Sequence, residues 1–184
     1  MKMLLGCSAS FLLLLLLSCL TEPAESRTLH LDSCSVSVHT HELRKYYAHI
    51  RSNAVSSASS RAIETSGKNL HKCNVRLNWQ KDGQTCCFLR LVLRFYVERV
   101  FSNYASSEPE QQRCSSALAN AFVSIRRDIH KCHCQCGEET QRTIDSVHAE
   151  FIKLQANRAA QKAVGELDTV LEWLEALGPK TQRN

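Results

Sequence analysis

The chain has 184 residues, ten of them cysteine, only six glycines and three prolines, and a formal net charge of +5. So few turn residues exclude a strand-rich sandwich or barrel and point to helices. No Gly-rich phosphate loop and no nucleophile elbow is present, which reads as a binding protein rather than an enzyme.

In chain order, the first feature is a leader. Met1-Lys2 forms a positive start, residues 11 to 20 (FLLLLLLSCL) are an apolar run, and Ala24-Glu25-Ser26 sets small residues at minus three and minus one of a cleavage site. This predicts a signal peptide over 1–26, a single helical domain over 27–184 and secretion into the oxidising extracellular medium. The competing reading is an uncleaved anchor, because residues 3 to 20 approach the roughly 18 apolar residues that span a bilayer. No later segment could cross a membrane. Cleavage removes Cys7 and Cys19, together with one lysine and two glutamates, so the charge rises by one to +6. Eight cysteines remain: Cys34, Cys73, Cys86, Cys87, Cys114, Cys132, Cys134 and Cys136. An even count in a secreted chain favours disulfides, although eight cysteines allow about 105 connectivities.

Leu43, Tyr47 and Ile50 mark a helix entered near Thr40, which the serine-rich stretch 56 to 60 (SSASS) breaks. Residues 61 to 85 read as a long connection with a turn at Asp82-Gly83. Along 86 to 104 (CCFLRLVLRFYVERVFSNY) the polar positions Arg90, Arg94, Glu98 and Ser102 recur every fourth residue, so narrow a stripe that the helix must be central. From 114 to 132 the apolar stripe is Cys114, Leu118, Phe122, Ile125, Ile129 and Cys132. Ile144, Val147, Phe151 and Leu154 mark a further helix. Val164, Leu167, Leu171 and Leu174 mark the last, stopped by Gly178-Pro179.

The stretch 129 to 139, IHKCHCQCGEE, has donors for a metal or sulfurs for disulfides. A zinc site would want C-x-x-C or H-x-x-x-H halves, which C-x-C-x-C does not supply. His41-Glu42-Leu43-Arg44-Lys45 also fails as a zincin motif, since Lys45 stands where H-E-x-x-H needs histidine. The oxidising compartment favours disulfides. No metal or cofactor is expected, and His130 and His133 read as solvated linker residues.

The strings CCFLRLVLRFYVERVFSNY, SSALANAFVSIRRDIHKC, CHCQCGEE and AAQKAVGELDTVLEWLE resemble the interleukin-10 family, in the branch of interleukins 19, 20 and 24. The resemblance spans most of the mature chain and is weakest from 50 to 80. It implies an up-up-down-down helical cytokine bundle of about six helices, stapled by disulfides. On the family pattern Cys34 pairs with Cys132, Cys86 with Cys134 and Cys87 with Cys136. Helix neighbours point about 100 degrees apart, so Cys86 and Cys87 cannot share a partner, whereas Cys134 and Cys136 lie only about 7 Å apart if extended. The chain departs from the branch twice. It lacks a short insertion after Cys132, and it carries Cys73 and Cys114, for which a fourth bridge is the simplest reading and free or intermolecular thiols the alternative. A short cross-linked hinge argues against helix exchange between copies and for a monomer.

The resemblance also implies a secreted protein that bridges two class II cytokine receptor chains, of interleukin-20 receptor type, and activates JAK-STAT signalling. One receptor would meet the last helix and the connection after the first helix, around Gly165, Glu166, Asp168, Lys68 and Asn69. The other would meet the first and third helices, around Arg44, Lys45, Arg51 and Arg94. The carboxylates Glu138, Glu139, Glu150, Glu166, Asp168, Glu172 and Glu175 read mostly as solvated. So do the basic residues, spread thinly with Arg126-Arg127 and Arg44-Lys45 as doublets, which indicates no dedicated nucleic-acid or glycan site. Two rivals remain: a saposin-like cationic helical protein acting on membranes, whose domains are about half this length with cysteines paired between helix hairpins, and a metal-binding secreted protein resting on the cysteine and histidine cluster.

Overall fold

The computed structural model describes residues 26–32, 34–59 and 83–178; the leader, Lys68, Asn69 and Cys73 lie outside them. The described chain opens with a hairpin that the helical reading did not include. Strands β1 (Arg27–Leu31) and β2 (Cys34–Val38) pair antiparallel, with Leu29 opposite Val36 and Leu31 opposite Cys34. Leu29, Leu31, Val36 and Val38 are buried while Thr28, His30, Ser35 and Ser37 face solvent, the strict alternation of a strand with one covered face. Asp32 turns the chain with φ 44°, in the left-handed region that Asp tolerates better than most residues.

Helix α1 (Thr40–Ser59) follows, then α2 (Thr85–Phe95), which runs through a π-helical turn (Tyr96–Val100) into the short α3 (Phe101–Asn103). The π turn has a cause in the sequence. Polar residues four apart drift by about 40° per step on a 3.6-residue helix, and one inserted residue returns them to the outside. Arg94, Glu98 and Ser102 are accordingly all exposed.

Pro109 starts α4 (Pro109–His130), a position where its missing N–H costs nothing. Helix α5 (Glu138–Ile152) begins with Glu138 and Glu139, favourable beside the positive end of the helix dipole. The last helical stretch is divided at Glu166 into α6 (Ala156–Gly165) and α7 (Leu167–Ala176). Helix α1 packs against α4, α6 and α7, whereas α2 packs on α4 and α5. Counting α2 and α3 as one, six helices stand among the described residues, and the fold is the expected helical bundle with a hairpin added.

The core is aromatic at its centre. Phe122 of α4 is fully buried and meets Tyr96 at 5.8 Å and Phe101 at 5.4 Å between centroids, while Phe95 meets Phe151 at 5.2 Å, all edge to face. The hydroxyl of buried Tyr96 donates to the carbonyl of Ala163 (3.0 Å), and that of Tyr47 to the carbonyl of Gly165 (3.2 Å). Two tyrosines thus hold the end of α6 where the helix breaks. Val164, Leu167, Leu171 and Leu174 are buried as their spacing predicts, but Leu154, placed on the α5 stripe by spacing, lies past the helix end and is exposed.

His148 of α5 lies against the Phe95 ring at 5.1 Å, and its buried Nε2 has no hydrogen-bond partner. Burial, reinforced by the positive charge of Arg99, holds its pKa below the usual imidazole value. A depressed folded-state pKa means that the unfolded chain binds the proton more readily, so this contribution to stability is complete above about pH 6.5 and declines below it. We expect the urea midpoint to fall between pH 6.5 and pH 5, above the carboxylate range, and to fall less in His148→Phe. Equal slopes in the two proteins would show that His148 does not carry the effect.

Candidate functional site

Two clusters of functional side chains emerge. The first is a covalent hub at the start of α2. The structure pairs Cys34 with Cys132, Cys86 with Cys134 and Cys87 with Cys136, at Cα separations of 5.7, 5.6 and 5.2 Å. These bridges tie the hairpin and the start of α2 to the hinge between α4 and α5. Polar contacts close on the same point. Asp32 Oδ2 accepts the N–H of Cys86 (3.0 Å), satisfying one orphan donor of α2 and placing a carboxylate at its positive end. Gln84 Oε1 accepts the N–H of Gly137 (2.7 Å), and a Cβ on Gly137 would come within 3.2 Å of that oxygen, so glycine permits the close approach. His133 sits between two bridged cysteines with φ 50°.

The sulfurs of Cys34, Cys86 and Cys132 lie within 4.8 Å of one another. All three are spent in disulfides, so the hub presents no thiolate to a metal. Cys114, half-buried in α4, has no disulfide partner among the described residues. The expected bridge from it to Cys73 lies outside them. Cys114 falls at the edge of the α4 stripe, where Ser115 and Leu118 take the buried positions.

The second cluster joins α1 to α7. Arg44 donates through Nε and Nη2 to both carboxylate oxygens of Glu175, at 2.8 and 3.0 Å, and through Nη1 to Asp168 at 2.5 Å. Arg51 Nη2 reaches the other oxygen of Asp168 at 3.1 Å, and its guanidinium stands 5.9 Å from the centroid of Tyr47. The fork of one guanidinium across two carboxylates is the bidentate geometry that lysine cannot reproduce. The hydrogen bond to Glu175 and the adjoining carboxylates raise the pKa of Arg44, and the reciprocal bond from Arg44 lowers that of Glu175. Burial raises the pKa of Tyr47, with the charge of Asp168 adding to it.

This cluster brings together candidate residues that the family pattern divides between two receptors. Arg44 and Arg51, assigned by the family pattern to a different receptor from Asp168, are ion-paired with it, and Tyr47 ties them to Gly165. Lys45 is exposed on the same helix, and Glu166 lies at the α6 to α7 break. Arg94 stands apart, on α2, paired with Glu98 at 3.0 Å, and Glu98 also binds Arg126 of α4 at 2.9 Å. Asp168 and Glu175 are about two-thirds covered rather than solvated. The residue missed was Glu175. Its signal was spacing: Arg44 and Arg51 are seven apart, as are Asp168 and Glu175, so two turns of one helix face two turns of another.

A bundle of helices stapled at one hub by three disulfides is the kind of fold found among secreted helical cytokines. Comparison with known proteins supports this class. The family model described as Interleukin 10 matches residues 13–178. Interleukin-20 of Mus musculus is 33% identical over 155 residues, covering 82% of this chain and 85% of that protein. Interleukin-19 of Mus musculus is 30% identical over 99 residues, covering 52% and 56%. The crystal structure of human interleukin-19 superposes with a TM-score of 0.65 at 23% identity, over 76% of this chain and 88% of that one. An edited human interleukin 24 gives 0.58 at 25% identity, over 82% and 95%. The chain belongs to the interleukin 10 family, whose members are cytokines and not enzymes. No helix among the described residues is long and apolar enough to cross a membrane.

The bridges generate a direct expectation. Alkylation of the secreted, non-reduced chain should modify Cys114 and leave Cys34, Cys86, Cys87, Cys132, Cys134 and Cys136 untouched, as read by intact mass and peptide mapping. Failure of Cys114 to react even in denaturant would show that it is bridged after all.

Proposed function

We propose that this chain is a secreted cytokine that bridges two class II cytokine receptor chains and activates JAK-STAT signalling in the receiving cell. Residues 1–26 act as its signal peptide, and 27–184 form the signalling domain. Membership of the interleukin 10 family and likeness to mouse interleukin-20 over most of both chains support the reading. The single observation that carries the site is the α1 to α7 network. It presents Arg51 beside Asp168 on a face built from both ends of the chain, with Arg44 fixing the geometry from beneath and Lys45 exposed on the same helix. A preorganised polar surface lowers the entropy lost on docking. One receptor chain therefore meets α1, α6 and α7 around Arg44, Lys45, Arg51, Gly165, Glu166 and Asp168, with Lys68 and Asn69 joining from outside the described residues. The second meets the α2 side, where Arg94 stands. The receptor pair is of the interleukin-20 receptor type, and the cross-linked hinge keeps the protein monomeric.

The test is STAT phosphorylation in cells given both receptor chains, either alone, or neither. Signal should require both. Lys45→Glu with Arg51→Glu, two exposed positions, should raise the half-maximal concentration about tenfold or more, equivalent to 1.4 kcal/mol of binding, while leaving the circular dichroism and the monomer mass by light scattering unchanged. Full potency in that variant would remove the face from the site, and signalling without either receptor would overturn the reading.

A further inference from the structure

We propose that the outer face of α2 and α4 binds a linear sulfated polysaccharide, a site separate from the α1 to α7 face. The sequence scatters its arginines, but the fold gathers five of them. Helices α2 and α4 run antiparallel: Cys86, at the start of α2, is bridged to Cys134 beyond the end of α4, while Phe101 meets Phe122 farther along. Along this seam lie Arg90, Arg94 and Arg99 from α2 and its π turn, and Arg126 from α4, with the exposed Arg127 next to it on the outer side of α4.

Glu98 organises the strip. Its two oxygens accept from Arg94 Nε (3.0 Å) and Arg126 Nη1 (2.9 Å), which sets two guanidiniums side by side across the helices. Each guanidinium has five N–H donors, so most remain available. Beyond Arg94, the ring of His148 lies within the field of both Arg94 and Arg99, placing those two charges around one imidazole. Arg90 marks one end of the strip, its Nη2 3.2 Å from Cys136 Sγ, and exposed His130 follows Arg126 by one turn. The facing carboxylates are Glu98, shared between two arginines, Asp145 of α5, held by Gln141 of its own helix at 3.0 Å, and Asp128 beside Arg127, paired with Lys131 at 2.7 Å. Five arginines and Lys131 against three carboxylates leave a positive surplus.

Shape selects the partner. From Arg90 to Arg99 the strip is about 13 Å long at 1.5 Å per residue, a ridge that suits an extended polyanion. Guanidinium forks match the oxygens of a sulfate group as they match phosphate. A lipid surface would call for apolar side chains to enter it, and Val123, 40% exposed, is the one exposed large hydrophobic on α4.

The test applies the full secreted chain to immobilised heparin and to vesicles containing phosphatidylserine, with unsulfated hyaluronan as the control. Three double variants each remove two charges: Arg94→Gln with Arg126→Gln, Arg99→Gln with Arg127→Gln, and Arg113→Gln with Lys153→Gln away from the strip. Both strip doubles should elute at markedly lower salt and bind heparin about tenfold or more weakly, while the third elutes with the wild type and hyaluronan retains nothing. Neither Arg99 nor Arg127 takes part in an ion pair among the described residues, so that double guards against misfolding as the cause. Equal shifts in all three doubles would reduce the effect to net charge and overturn the site. Loss of vesicle binding without any heparin binding would assign the strip to membranes and overturn the polysaccharide.

Discussion

Everything in this fold leans on the start of α2. Three disulfides, one carboxylate and one amide converge there within a few residues, and through them the hairpin, the central helix and the α4 to α5 hinge become one rigid body. Cross-links that close long loops restrict the unfolded chain most in the chain-entropy model, and Cys34 to Cys132 spans 98 residues. The hub also decides where the helices can go. With α4 and α5 pinned beside the first turn of α2, α5 must return along α2, and Phe151 is delivered to Phe95.

The opposite side of the bundle is held by weaker means. Where α6 breaks at Glu166, carbonyls that would otherwise continue the helix ladder accept the hydroxyls of Tyr47 and Tyr96. The break re-aims α7 so that Asp168 and Glu175 face α1. The α1 to α7 network is thus tied to a helix interruption. Its charges are partly covered, which screens them less from one another than full exposure would.

Much of this was legible in the sequence, for identifiable reasons. Apolar spacing located α1, α2, α4, α5 and the last helix because each buries one stripe, and residues such as Phe122, Leu167 and Leu171 lie where that stripe predicts. The hairpin was written equally plainly as alternation in TLHL and SVSV, but so short a run is outweighed when the composition is helical. The π turn was present as a four-residue polar period, a drift that only the packed structure translates into an inserted residue. Long-range charge pairing was the least legible part. Arg44 and Glu175 are 131 positions apart, and nothing local says which solvent-facing carboxylate will find which arginine.

The N–H of His30 donates to the carbonyl of Leu177 at 3.2 Å, and Gly178 lies against the side chain of Arg27. The first strand and the last helix therefore leave the domain side by side, at one edge. A few flexible residues would suffice to join Gly178 to Arg27, making the domain topologically a near-closed ring and a natural candidate for circular permutation. For the same reason a carrier joined directly to Arg27 or to Gly178 would sit at the same edge of the bundle.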